Sequence, residues 1–173
     1  RDKATLDLAG TSLIRRAVNA VDEVVDALVL GTGSAPRYAE LGLESVLDFQ
    51  ADVGPLAGLY AGLAKAKADG REWMIALACD TPRMDAELLR QLLIRAREED
   101  ADVCMYQSAS GLEPLCAVNR VTCLEAVRDA IEAGGRKLVS FHDDLKVALV
   151  CDSDLPKELR DADLSFNVNT PLE

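Results

Sequence analysis

An aspartate at the end of an apolar segment is the first candidate for chemistry in this sequence. Residues 73–79 (WMIALAC) are all apolar, and Asp80 follows directly, ahead of Thr81 and Pro82. Such a run predicts a buried strand, and ligands of α/β sheets bind beyond the carboxyl ends of the strands. Asp80 could hold a metal ion there, while an Asx turn before the proline explains it about equally well.

Four further residues could contact a ligand. Asp48 ends a second strand candidate (ESVLDF), although a lone loop aspartate is the simpler interpretation. Gly31 lies in LGTGSA, which has half of a dinucleotide fingerprint and lacks its third glycine, so a tight turn explains it. Asn167 and Asn169 in FNVNTP would point to one side of an extended segment, where their carbonyl oxygens could complete a magnesium shell. Turn formation before the proline is the alternative for this pair.

A nucleophilic site is not indicated. The single histidine and five scattered cysteines form no Ser/His/Asp or Cys/His arrangement, and no C-x-x-C spacing occurs. The cysteines are therefore interpreted as core thiols in a reducing compartment, which predicts a cytoplasmic protein. The net charge of −11 would repel a polyanion, so neither nucleic acid nor an anionic membrane is an expected partner. A segment of membrane-spanning length and a signal peptide are both lacking.

The elements that must position these residues alternate between helical and strand patterns. This alternation predicts an α/β sheet with mostly right-handed crossovers. The unbroken apolar run 73–79 is typical of a parallel strand covered on both faces. Helices are predicted from residues 13, 55, 85 and 121, and strands at 23–33, 44–49, 73–79, 101–107, 113–119 and 145–151.

Four segments in this order resemble the molybdenum cofactor guanylyltransferase family, also called the molybdopterin-guanine dinucleotide biosynthesis protein A family: GPLAGL, CDTPRMD, EPLCAVNR and FNVNTP. The opening RDKATLDLAG is similar to the stretch after that family's glycine-rich signature. The resemblance covers essentially the whole chain. It implies a three-layer α/β/α nucleotidyltransferase fold (GT-A, Rossmann-like) with a mostly parallel sheet. Residues 1–173 are expected to form one domain, truncated at its N-terminus because the family's first strand and glycine-rich loop would precede Arg1.

The resemblance also implies a reaction and its residues. The activity would be transfer of GMP from GTP to the terminal phosphate of molybdopterin, with release of pyrophosphate and with Mg²⁺ as the cofactor. Lys3 and Asp80 would be catalytic, and Asp80 would hold the metal. Lys3 and Asp80 would also contact the nucleotide, together with Gly31 and Asp48.

Glu113, Pro114, Asn167 and Asn169 match elements on the pterin side and are the expected substrate-binding residues. Partners would be GTP and molybdopterin, with transient contacts to other cofactor-assembly proteins or apo-molybdoenzymes. Three alternatives stay open. A cytidylyltransferase for the same pterin and a sugar-phosphate nucleotidyltransferase share the fold and the D-x-P pattern, and absence of the glycine-rich loop would favour a catalytically silent nucleotide-binding or adaptor domain.

Overall fold

The computed structural model describes residues 2–48, 53–160 and 164. Short 3-10 turns at Lys3–Thr5, Ala39–Leu41, Val121–Cys123 and Asp152–Asp154 accompany its helices and strands. The strands are β1 (Asp7–Leu8), β2 (Thr11–Ser12), β3 (Val29–Gly31), β4 (Glu44–Val46), β5 (Trp73–Leu77), β6 (Val103–Ser108), β7 (Gly111–Arg120) and β8 (Val147–Cys151). The helices are α1 (Leu13–Asp22), α2 (Pro55–Ala68), α3 (Ala86–Glu98), α4 (Leu124–Glu132) and α5 (Lys157–Arg160).

Local signals explain where the long helices begin. The carboxylate of Asp85 accepts a hydrogen bond from the Leu88 N–H over 3.0 Å, so it caps α3 as predicted. Helix α2 begins at Pro55, whose fixed φ and missing N–H suit the first helical position. Ser12 occupies the N-cap position of α1, again at the predicted boundary. In the described part of the chain, no helix combines the length and apolar character needed to cross a membrane.

The main sheet has four strands in the order β5-β7-β6-β8. Strand β7 runs antiparallel to both of its neighbours, and only β8 runs parallel to β6. Because β7 opposes both β5 and β6, the strands β5, β6 and β8 all run in one direction, so the expected predominance of parallel strand directions holds with β7 as the exception. The physical reason is the short connection between β6 and β7: Ser108 pairs with Gly111, which leaves a two-residue hairpin and no room for a crossover.

Helices cover both faces of this sheet, which confirms the three-layer α/β/α class. On one face the buried stripe of α3, including Leu88 and Leu92, packs with Tyr106 and Val118 of the sheet. On the other face α2 and α4 enclose a second cluster, in which Leu56, Leu63 and Val127 pack with Val103 and Met105. All five cysteines are free thiols, as the sequence predicted.

Strands β3 and β4 form a separate parallel pair, and a cleft of about 830 Å³ lies between β3 and β5. All five residues of β5 are only half-buried, but their side chains pack alternately against the α3 cluster and the cluster of α2 and α4, so the predicted coverage of both faces is confirmed. The predicted strand 23–33 is too long. Its first part continues the turn after α1, because the N–H groups of Val24 and Val25 donate to the Val21 carbonyl.

Candidate functional site

The side chains of Lys3 and Asp80 form an ion pair beyond the carboxyl end of β5. Lys3 lies in the turn Lys3–Thr5, and Asp80 lies in the turn that follows the strand. The Lys3 Nζ atom donates to Asp80 Oδ2 over 3.0 Å, and 35% and 30% of the two side chains are exposed. A cation and a carboxylate are thus both accessible to a charged ligand that enters from solvent.

Hydrogen bonds hold the backbone around Asp80 in place. The Ala78 N–H donates to the Leu115 carbonyl over 2.8 Å, which extends the β5–β7 pairing by one residue. The hydroxyl of the buried Thr81 donates to the Ala78 carbonyl over 3.5 Å. Because Thr81 and backbone groups close this turn, the backbone of Asp80 is held in the position from which its carboxylate reaches Lys3.

Gly31 and Asp48 lie on the opposite wall of the same cleft. Gly31 ends β3, and Asp48 follows β4, which runs parallel to β3. The loops after the two strands are joined, because the Thr32 N–H donates to the Val46 carbonyl and the Asp48 N–H donates to the Gly33 carbonyl over 2.9 Å. The cleft therefore brings together all four residues predicted for the nucleotide site: Lys3, Gly31, Asp48 and Asp80.

Two glycines of α2 allow this helix to approach the cleft closely. A Cβ atom on Gly58 would lie 3.3 Å from Oδ1 of Asp48. A Cβ atom on Gly62, one helical turn later, would lie 2.7 Å from the Sδ atom of Met74 in β5. The missing side chains thus determine how near α2 lies to the Asp48 carboxylate and to the wall of the cleft. A methyl group added at Gly58 would touch Asp48, which is a predicted nucleotide-binding residue, whereas one added at Gly62 would touch only Met74 among the atoms nearest to it.

Glu113 and Pro114 lie at the carboxyl-end edge of the sheet, beyond the described residues that line the cleft. The β6–β7 pairing shifts here: Tyr106 pairs with Glu113, whereas the preceding Met105 pairs with Ala117. Pro114 falls within this irregularity, where its missing N–H breaks no ladder hydrogen bond. The Glu113 carboxylate accepts a hydrogen bond from the Ser108 hydroxyl over 3.0 Å. The predicted residues Asn167 and Asn169 lie outside the described residues.

A cluster that the sequence patterns did not indicate lies next to Lys3 and is formed by Asp2, Arg37 and Tyr38. The Asp2 carboxylate accepts hydrogen bonds from the Tyr38 hydroxyl over 2.7 Å and from the Arg37 guanidinium. The bond from Tyr38, assisted by the Ala4 N–H and by Arg37, lowers the pKa of Asp2. Burial, followed by the bond to Asp2, raises the pKa of Tyr38 to about 12. An N-cap aspartate directly before Lys3 was the one local signal for this cluster.

Cys79 is the nearest candidate nucleophile to the ion pair, and its environment disfavours that role. Burial raises the pKa of the Cys79 thiol, and the negative charge of the adjacent Asp80 raises it further. A thiolate is the nucleophilic form of cysteine, so this thiol stays in its unreactive form near neutral pH. The site is therefore suited to positioning and neutralising charged ligands, without a covalent intermediate on cysteine.

The oxygen donors of the site fit a divalent cation that is held mainly by waters and by the phosphates of a bound substrate. In residues 2–48, 53–160 and 164, no group of three or more histidine, cysteine, aspartate or glutamate side chains is arranged to hold a metal. Asp80 and Asp48 supply isolated carboxylates on two walls of one cleft. Mg²⁺ is commonly bound by one or two carboxylates together with waters and substrate phosphates. A site with sparse protein ligands suits this mode of binding.

Comparison with protein families gives a match over most of the chain. Residues 1–146 match the family described as MobA-like NTP transferase domain. A probable molybdenum cofactor guanylyltransferase from Pelotomaculum thermopropionicum is 31% identical over 100% of this chain and 82% of its own length. A protein of the same description from a Nostoc species is 33% identical over 99% of this chain and 80% of its own length.

A solved structure shows the same fold. The crystal structure of molybdopterin-guanine dinucleotide biosynthesis protein A from Archaeoglobus fulgidus matches with a TM-score of 0.74 at 22% sequence identity. The match covers 98% of this chain and 85% of that protein. At this identity the structural likeness supports the nucleotidyltransferase fold, while the sequence matches carry the family assignment.

Proposed function

This chain belongs to the MobA-like NTP transferase family, and on that premise we propose that it transfers GMP from GTP to the terminal phosphate of molybdopterin. The observation that carries the proposal is the Lys3–Asp80 ion pair, 3.0 Å long, at the mouth of a cleft whose other wall bears Asp48. Sequence relatives described as guanylyltransferases support GTP as the donor. A cytoplasmic location remains a prediction that fits the five free thiols.

The proposed reaction needs no nucleophile from the protein. An oxygen of the terminal phosphate of molybdopterin attacks the α-phosphorus of GTP, the bond from that phosphorus to the bridging oxygen breaks, and pyrophosphate leaves. Both substrates are anions, so the protein must hold them in line and neutralise their charge. The ammonium of Lys3 would balance the charge that builds on the departing phosphates.

The carboxylates of Asp80 and Asp48 have different proposed tasks. Asp80 would hold a divalent cation, with Mg²⁺ as the expected ion, and a bound Mg²⁺ would neutralise and orient the triphosphate. Asp48 would accept hydrogen bonds from N–H or O–H groups of the nucleotide or from waters. Gly31 would let the nucleotide approach the backbone at the end of β3, because it carries no side chain. When substrate binds, the Lys3 ammonium would leave the Asp80 carboxylate and donate to phosphate oxygens instead.

The molybdopterin side of the site is proposed to include Glu113, Pro114, Asn167 and Asn169. Glu113 lies at the same carboxyl-end edge of the sheet as Asp80, because β7 runs antiparallel to β5 and its residue Cys116, three positions after Glu113, pairs with the last residue of β5. Neutral amides and a single carboxylate can orient polar groups of the pterin without adding much charge. Transient contacts with other cofactor-assembly proteins or apo-molybdoenzymes belong to the same proposal.

The test is nucleotide preference in the full-length protein. Pyrophosphate release is measured with molybdopterin, MgCl₂ and either GTP or CTP, and kcat/KM is expected to favour GTP at least about tenfold, which corresponds to one or two base-specific hydrogen bonds. Equal or better use of CTP would identify a cytidylyltransferase instead. If calorimetry detects binding of neither nucleotide, the chain is a catalytically silent domain.

A further inference from the structure

Three donors converge on the carboxylate of Asp2. The Ala4 N–H, over 3.1 Å, belongs to the turn that Asp2 caps. The Tyr38 hydroxyl, over 2.7 Å, and the Arg37 guanidinium come from the loop after β3. We propose that Asp2 and Tyr38 are positioning residues that hold Lys3 in place for the phosphates of the nucleotide. This proposal rests on the function proposed above and extends it to residues outside the predicted site.

The backbone of Tyr38 supports a specific role for its side chain. Tyr38 has φ 61° and ψ 40°, the left-handed conformation that residues with a Cβ atom disfavour. Its hydroxyl bonds to Asp2, and the Arg37 guanidinium lies 5.0 Å from the centre of its ring. Strained residues of this kind persist where surrounding contacts fix them, and they concentrate at functional sites. The strain is therefore maintained by the same contacts that reach the turn of Lys3.

The turn of Lys3 is held by the Leu6 N–H, which donates to the Lys3 carbonyl over 3.1 Å, and by contacts of the two neighbouring residues. Ala4 is buried and packs with Ile14 and Leu30, which holds the C-terminal side of Lys3. Asp2 is held by its bond to Tyr38 on the N-terminal side. A lysine side chain has four rotatable carbons, so its ammonium reaches one place reproducibly only if its backbone is held. Release of Asp2 would leave Lys3 anchored on one side.

The first test measures Lys3 itself and does not require activity. Brief acetylation followed by mass spectrometry gives the labelling rate of Lys3. In Tyr38→Phe this rate is expected to rise at least about threefold, because an exposed ion pair is weak enough to be lost when its backbone loosens. The matched control is Tyr106→Phe, which removes a hydroxyl bonded to Asp152 far along the sheet and should leave the Lys3 rate unchanged.

Two substitutions of Asp2 separate positioning from general stability. Asp2→Asn keeps one carbonyl oxygen, which can still cap the Ala4 N–H, but its amide nitrogen replaces the oxygen that accepts from Tyr38 and Arg37. Lys3 labelling should therefore rise in Asp2→Asn about as much as in Tyr38→Phe, although the cap of the turn is kept. Asp2→Ala removes both acceptors and should raise labelling as Tyr38→Phe does. In nucleotide transfer, Tyr38→Phe is expected to lower kcat about tenfold with little change in the KM for GTP, because Lys3 acts on charge that develops in the transition state.

The outcomes distinguish this proposal from the one on which it rests. Unchanged Lys3 labelling in folded Tyr38→Phe and Asp2→Ala proteins would overturn the positioning role, whatever their activity. Wild-type labelling in Asp2→Asn would also contradict it, since this variant keeps the cap of the turn and loses the acceptor for Tyr38. If Lys3 is labelled faster in the variants and the wild type transfers no nucleotide, the positioning role is supported and the proposed reaction is contradicted.

Discussion

The Nζ atom of Lys3 and the Oδ2 atom of Asp80 lie 3.0 Å apart, although 77 positions separate the two residues in the sequence. Each group is the counterion of the other in this structure. A nucleoside triphosphate with a divalent cation provides a stronger partner for each group, because the phosphates attract the Lys3 ammonium and the cation attracts the Asp80 carboxylate. The ion pair is thus expected to open when substrate binds.

Asp80→Asn tests the proposed metal ligand. The amide keeps the size of the side chain and removes its charge, so the protein should fold with a near-normal melting temperature. Turnover is expected to fall at least about a hundredfold, the scale seen when one preorganised electrostatic contact is lost. Thermal melts and steady-state rates across a magnesium titration measure both effects. Loss of folding together with activity would mean that Asp80 only shapes the turn, and unchanged turnover would place the metal elsewhere.

Lys3→Gln tests the ammonium group in the same reaction. The charge that develops on pyrophosphate would lose its partner, so kcat should fall about a hundredfold. Lys67→Gln is the matched control. Within the described residues, the ion pair of Lys67 is an exposed contact of 3.9 Å with Glu125. Rates measured at saturating GTP compare the two variants. Equal losses would point to a general charge effect instead of a local one.

Gly58→Ala and Gly62→Ala test the close approach of α2. The methyl group on residue 58 would press on the Asp48 carboxylate, so the KM for GTP should rise several-fold while the helix gains up to about 1 kcal/mol of stability. The methyl group on residue 62 would meet Met74, whose flexible side chain can move. Gly62→Ala should therefore leave the KM unchanged. If both variants change the KM alike, a shift of the whole helix is responsible.

The stabilising effect of Tyr38 is expected to depend on pH. Its pKa is raised to about 12 in the folded protein by burial and by Asp2, with a smaller contribution from Cys79, whereas the charge of Arg37 acts in the opposite direction. An unfolded tyrosine ionises near pH 10. The protonated phenol therefore stabilises the fold fully below about pH 10, and this contribution disappears as the pH rises from about 10 to 12.

Melting temperatures of the wild type and Tyr38→Phe measure this dependence. Their difference should be constant from pH 7 to about 10 and should shrink above that. Alkaline unfolding of the rest of the protein affects the wild type and Tyr38→Phe alike, so it cancels in their difference. A difference that stays constant up to pH 12 would show that the pKa of Tyr38 is not raised in the folded protein.

Short-range patterns predicted the helices well, because their starts depend on residues within one turn. Asp85 and Pro55 mark the starts of α3 and α2, and both boundaries agree with the structure. The antiparallel direction of β7 was missed although its signal was local: two residues between Ser108 and Gly111 cannot make a crossover. The apolar pattern of β5 correctly predicted packing on both faces of the sheet, whereas the partial exposure of its residues to the cleft has no signal in the pattern.

The candidate site likewise contains residues that the sequence indicated and residues that it did not. Gly31, Asp48 and Asp80 could be predicted because each follows a strand, and strand ends meet at one edge of a sheet. The resemblance to a known family added Lys3. The bond between Asp2 and Tyr38 joins residues 36 positions apart, in a loop without periodicity, so no pattern in either segment indicates it. Such contacts depend on the tertiary fold and become visible only in coordinates.

The cleft between β3 and β5 also has a consequence for cooperativity. Strands β3 and β4, on one side of the cleft, pack on a small buried cluster of Ala4, Ile14 and Leu30. The four-stranded part is flanked by two much larger clusters. Parts with fewer buried contacts open by local fluctuations well below the free energy of global unfolding. Amide hydrogens of β3 and β4 should accordingly exchange with solvent before those of β6, which makes the wall bearing Gly31 the more adaptable half of the site.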